Sequence, residues 1–130
     1  MSRQGRGRTM LACFAALVLG VFVSLFSAGV ALFADGSFSE RPPVLAVSVA
    51  VFLVLGLILG TLAPAAWKPV AICLGISAVP VVLFFGWDTI GQVPMMLLGF
   101  GFMTGDAAAG AFGAWQGARL QARSRARRSL

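Results

Sequence analysis

The chain contains no histidine and no tyrosine, and only four acidic residues stand against ten lysines and arginines. Without histidine there is no imidazole base, no histidine metal ligand and no Ser–His pair. The carboxylates are Asp35, Glu40, Asp88 and Asp106. Around them no nucleophile–base pair or phosphate-binding loop is visible, so no catalytic residue is assigned and an enzyme is not expected. The two cysteines, Cys13 and Cys73, are too few for a metal site in a chain without histidine, and neither a metal nor another cofactor is expected. Their depths match near the cytoplasmic ends of two apolar stretches. On that reducing side they are read as packing residues and not as a disulfide.

Charge of either sign is scarce. Charged residues make up 11% of the chain, against roughly a quarter in an ordinary soluble domain. Hydrophobic residues make up 59%. A soluble fold of 130 residues could not hide that much apolar surface, and disorder carries the opposite signature. The composition therefore predicts a membrane protein.

The uncharged stretches run from Thr9 to Ala34, from Pro42 to Trp67, from Pro69 to Trp87, and from Thr89 to Ala118 with one break at Asp106. A helix needs about 20 apolar residues to cross the hydrocarbon core. Each stretch supports one crossing, and none comfortably supports two. These runs are continuously apolar and do not alternate, which argues against a β-barrel. The expected architecture is an all-α integral membrane protein, an antiparallel four-helix bundle with short loops. Its spans fall at about 10–34, 43–65, 69–87 and 92–118 within one domain, 9–118. Basic tails at 1–8 and 119–130 flank it. Arg41-Pro42-Pro43, Pro64, Pro69 and Pro94 punctuate the spans where proline is tolerated, at loops and first helical turns. The first apolar run is too long for a signal-peptide core and lacks a clean cleavage site, so the first helix is expected to stay.

Loop charge sets an expected orientation. The N-terminal segment carries Arg3, Arg6 and Arg8, and the C-terminal segment carries Arg119, Arg123, Arg125, Arg127 and Arg128. Both fall on one side of an even number of spans. By the positive-inside rule both termini are cytoplasmic, in a cell (inner) membrane. Trp67 and Trp115 then sit near the inner boundary and Trp87 near the outer one. The five C-terminal arginines follow a partly helical period and are read as contacts to anionic lipid headgroups. No aromatic platform accompanies them, so nucleic acid is not an expected partner.

Two features stand out within the spans. Gly101, Gly105, Ala109, Gly113 and Gly117 recur every fourth residue in the fourth helix. Ala12, Ala16, Gly20, Ser24 and Ala28 do the same in the first. Such rows allow close backbone approach, the main source of packing energy between helices in lipid. They serve either the bundle itself or a contact to a second copy or a larger membrane complex. Gly56 with Gly60 and Ala71 with Gly75 form shorter rows of the same kind.

The second feature is Asp106, near the middle of the fourth helix and on its glycine side. A charged Asp there costs about 3 kcal/mol on insertion scales. No Lys or Arg lies within a span, so the neutral acid, donating a hydrogen bond, is the least costly state. Pro80 frees the carbonyl of Ile76 at similar depth, which makes that carbonyl the expected acceptor. The other intramembrane polar candidates are Thr104, Ser77 and Ser24, with Ser48 a further one. The function expected from these features is a small non-catalytic membrane protein acting as a helix-packing partner or accessory subunit. The alternative is a small oligomeric proton- or cation-coupled transporter or channel using Asp106.

Overall fold

The computed structural model describes residues 3–33, 41–86 and 91–129. Four helices account for nearly all of them: α1 (Arg3–Phe33), α2 (Arg41–Leu62), α3 (Trp67–Gly86) and α4 (Val93–Arg128). Three of these contain stretches long and apolar enough to cross a membrane, Gly5–Val30, Pro42–Leu62 and Pro64–Val81. α4 is the longest but is less apolar, because glycines, Thr104 and Asp106 interrupt its run of large side chains.

Proline fixes several boundaries, as its missing N–H and fixed φ require. Pro94 lies in the first turn of α4, and Pro64 opens the 3-10 turn Pro64–Ala66 that joins α2 to α3. Gly91, with φ +96°, precedes α4 in a conformation that favours glycine. The sequence placed Trp67 and Lys68 in the connection between the second and third spans. They instead form the first turn of α3, with Pro69 tolerated inside that turn. The basic ends are also helical: α1 begins at Arg3, and α4 continues through Arg128.

The packing differs from a simple sequence-neighbour bundle. α2 packs most closely on α4, α3 packs on α4, and α1 packs on α3. The sequence neighbours α2 and α3 touch only lightly. Gly101 lies near Leu45, Gly105 near Val49, Gly113 near Leu57 and Gly117 near Thr61. The numbers rise together along this seam, so α2 and α4 run parallel. On α3 and α4, Gly75 meets Ala107 and Leu74 meets Gly110, so this pair is antiparallel. The core comprises Phe52, Val70 and Leu74 with Ala16, Leu59, Ala109 and Ala114.

Glycine makes the α2–α4 seam that close. A Cβ at Gly56 would lie 2.9 Å from the Ala114 amide nitrogen, and one at Gly113 would lie 2.9 Å from that of Leu57. Both would come closer still to a backbone carbonyl, at Gly110 and Leu53 respectively. Gly60 and Gly117 meet backbone in the same way, at Ala114 and at Leu57. Gly56 and Gly60 looked like a minor row in the sequence, yet they form half of the backbone-to-backbone seam between α2 and α4. By contrast α1 and α2 leave a groove of about 420 Å³ between them, lined by Phe22, Phe26, Ser27, Val30, Val47 and Val51 among others.

Candidate functional site

Each small-residue row faces a helix of the same chain. In α4, Ala109, Gly113 and Gly117 are buried, while Gly101 and Gly105 lie against Leu45 and Val49 at the edge of the seam. In α1, Ala16, Gly20 and Ser24 are buried, and Ala12 and Ala28 are half-buried. A Cβ on Gly20 would collide with the Ser77 side chain of α3, which fixes the α1–α3 approach. The α1 row therefore faces α3 and the α4 row faces α2, leaving large apolar side chains outside. On α1 these include Leu11, Phe14, Val18, Phe22 and Phe26, with Phe22 69% exposed.

The buried polar residues among those described are Ser24, Ser27, Ser48, Ser77 and Asp106. Asp106 and Ser48 are each only 1% exposed. The Ser48 hydroxyl faces both carboxylate oxygens, 3.0 Å from Oδ1 and 2.8 Å from Oδ2. The partner of Asp106 is thus the Ser48 hydroxyl of α2 and not the Ile76 carbonyl of α3 expected from the sequence. The reason lies in the packing: the parallel α2–α4 seam turns Ser48 toward Asp106. Ser48 was legible in one respect, as the single hydroxyl between Pro43 and Gly60 in an otherwise apolar helix.

The remaining polar candidates divide. Ser77 is buried and donates to the Leu74 carbonyl of its own helix at 2.7 Å. The α3–α4 register brings it close to the level of Asp106. Ser24 is 5% exposed, and its hydroxyl has no hydrogen-bond partner. Ser27, buried on the same face of α1, was not singled out in the sequence. Thr104 does not join this group. It is exposed, and its hydroxyl donates to the Phe100 carbonyl at 2.7 Å, a back-bond that satisfies the hydroxyl within its own helix.

Chemically the arrangement is a helix tie. One acid and one hydroxyl share a hydrogen bond, and both are buried. Cys13 of α1 and Cys73 of α3 are neighbours on the α1–α3 face, both half-buried against the core.

Residues 8–65 match the model of a family of unknown function (DUF6954). The matched segment runs from Arg8 of α1 through α2 and into the Pro64–Ala66 turn, so it contains Ser48 and not Asp106. No curated protein and no solved structure matches the chain.

Proposed function

We propose that this chain is a non-catalytic integral protein of the cell (inner) membrane. Its four helices cross as a bundle with both termini on the cytoplasmic side, and it acts as an accessory subunit to a neighbouring membrane protein or to further copies of itself. Three helices apolar enough to span, and the exposed phenylalanines of α1, support the membrane setting. The basic ends support the orientation.

The observation that carries the accessory reading is the closed interior. The only acid among the described residues is buried and tied to a hydroxyl, and the lining of the α1–α2 groove is almost wholly apolar. Because the small-residue rows face inward, contact to a partner falls to the large side chains of the α1 outer face. Extraction in mild detergent, followed by cross-linking and identification of what co-purifies, tests this. A reproducible partner or a defined oligomer is the expected outcome. A lone monomer under native extraction overturns it.

A second reading is favoured by one observation: a carboxyl group lies mid-helix beside hydroxyl groups at similar depth. On that reading the protein is an oligomeric proton- or cation-coupled transporter, and Asp106 is its coupling group. Purified protein in liposomes would then carry flux that Asp106→Asn abolishes while folding is kept. Absence of flux in the wild type, or unchanged flux in the variant, removes it.

A further inference from the structure

One end of the molecule gathers cations from three helices at one level. Leu74 of α3 meets Gly110 of α4, and the pair is antiparallel. Six residues back from Leu74 is Lys68, and six residues on from Gly110 is Gln116, so Lys68 lies between Trp115 and Arg119 in depth. On α1, Gly20 meets Leu74 and Ser77, and Cys13 meets Cys73. That parallel register brings Arg8 down to the Pro64–Ala66 turn, which α1 also contacts. Two of the three cations sit over indole rings. The Lys68 ammonium is 5.9 Å from the Trp67 ring centre, and the Arg119 guanidinium is 4.2 Å from that of Trp115. Arg8, Lys68 and Arg119 are all exposed. Asp106 is the only acid among the described residues, and its burial keeps it from pairing with any of them.

The arginines further along α4 are placed differently. Arg127 is twelve residues beyond Trp115. At 1.5 Å per residue that is about 18 Å along the helix, past a headgroup layer of about 5–8 Å. Arg123, Arg125, Arg127 and Arg128 also point to several sides of the helix, and Leu120 is the only large apolar residue between Trp115 and the helix end at Arg128. A helix that lies on a bilayer needs an apolar face to bury, and this one has none.

We propose that Arg8, Lys68 and Arg119 form a belt that binds the phosphates of anionic phospholipid headgroups. Trp67 and Trp115 fix its depth, and the helical arm beyond Arg119 extends into water and is not part of the site. The belt rests on the membrane reading above. Indole rings settle at the membrane–water boundary, and each nearby cation contributes about 1 kcal/mol of attraction to anionic lipid.

The test is lipid retention by the purified full chain, measured by native mass spectrometry after exchange into phosphatidylcholine with or without phosphatidylglycerol. Wild type is expected to retain phosphatidylglycerol preferentially, and 1 M salt should weaken that preference. Lys68→Gln with Arg119→Gln should reduce it, each substitution by about fivefold, the equivalent of about 1 kcal/mol. The arm variant Arg125→Gln/Arg127→Gln/Arg128→Gln should keep it. Soluble glycerophosphate should not compete, which separates a headgroup at the bilayer surface from free phosphate. Equal unfolding midpoints in phosphatidylcholine alone show that the variants fold. If a belt variant does not fold, the wild-type lipid preference and its salt dependence still decide. No preference in the wild type overturns the belt, as does a preference lost with the arm variant and kept with the belt variant. Alkaline extraction of cell membranes distinguishes the two levels: release of the protein defeats the membrane reading itself, whereas retention without lipid preference defeats only the belt.

Discussion

The Ser48 hydroxyl spans both carboxylate oxygens of Asp106, at 3.0 and 2.8 Å, and joins α2 to α4 inside the bundle. Removing either partner strands the other in an apolar interior. Ser48→Ala should cost about 1–2 kcal/mol, since interhelical hydrogen bonds in membranes are modest and a buried polar group left alone is penalised. Asp106→Asn keeps an acceptor for the hydroxyl and should change stability by less than about 1 kcal/mol, by the same accounting. Unfolding of the two variants in mixed micelles titrated with dodecyl sulfate checks both values. A Ser48→Ala variant as stable as wild type would mean that the tie carries no structural weight.

The glycines of the seam offer a sharper contrast. Gly60→Ala and Gly117→Ala place a methyl group against the backbone of the facing helix, which cannot swing aside as a side chain can. Each should destabilise by about 2 kcal/mol or more, in the range of overpacking costs. Gly29→Ala meets nothing within 4 Å. It should be neutral or raise stability by up to about 1 kcal/mol, the ordinary helix-propensity gain of alanine over glycine. The same unfolding titration orders the three. Equal effects at Gly29 and Gly117 would contradict the α2–α4 register.

The neighbouring thiols give a direct check on the α1–α3 pairing. Mild oxidation with copper phenanthroline in native membranes should join Cys13 to Cys73 within one chain. The product is a faster-migrating species on non-reducing gels that Cys73→Ser removes. Cross-links between chains in place of this species would place the two cysteines on different molecules.

Ser24 carries a different expectation. Its hydroxyl is buried without a partner, so Ser24→Ala removes an unsatisfied polar atom. The change should be neutral or stabilising by up to about 1 kcal/mol, unlike Ser48→Ala. A loss comparable to that of Ser48→Ala would show that the Ser24 hydroxyl is satisfied in the membrane, by water or by an adjacent chain.

The apolar runs made the helices legible, and the prolines placed several of their ends. The burial of Asp106 was legible too, because it shares a side of α4 with Gly105, Ala109 and Gly113. What the sequence could not supply was the partner across each face. A row of small residues says that a backbone can approach closely, but not which one. Pro80 frees the Ile76 carbonyl at similar depth, and that reasoning favoured Ile76 on α3 over Ser48 on α2. The weight of Gly56 and Gly60 was hidden for the same reason, since it depends on the glycines that face them from α4. Thr104 looked polar and central, but only its position around the helix decides that it points outward.

The parallel seam between α2 and α4 also bears on the order of synthesis. The ribosome makes α2 well before α4, and two parallel helices cannot be joined by a short turn, so α3 must be laid down between them. Until α4 arrives, Gly56, Gly60 and the Ser48 hydroxyl have no counterpart within the chain. The newborn α1–α2 hairpin therefore spends its first moments with its best docking face unfilled. Packing of the last helix onto α2 and α3 completes the fold, and truncation before Asp106 removes the structural partner of α2 along with the acid.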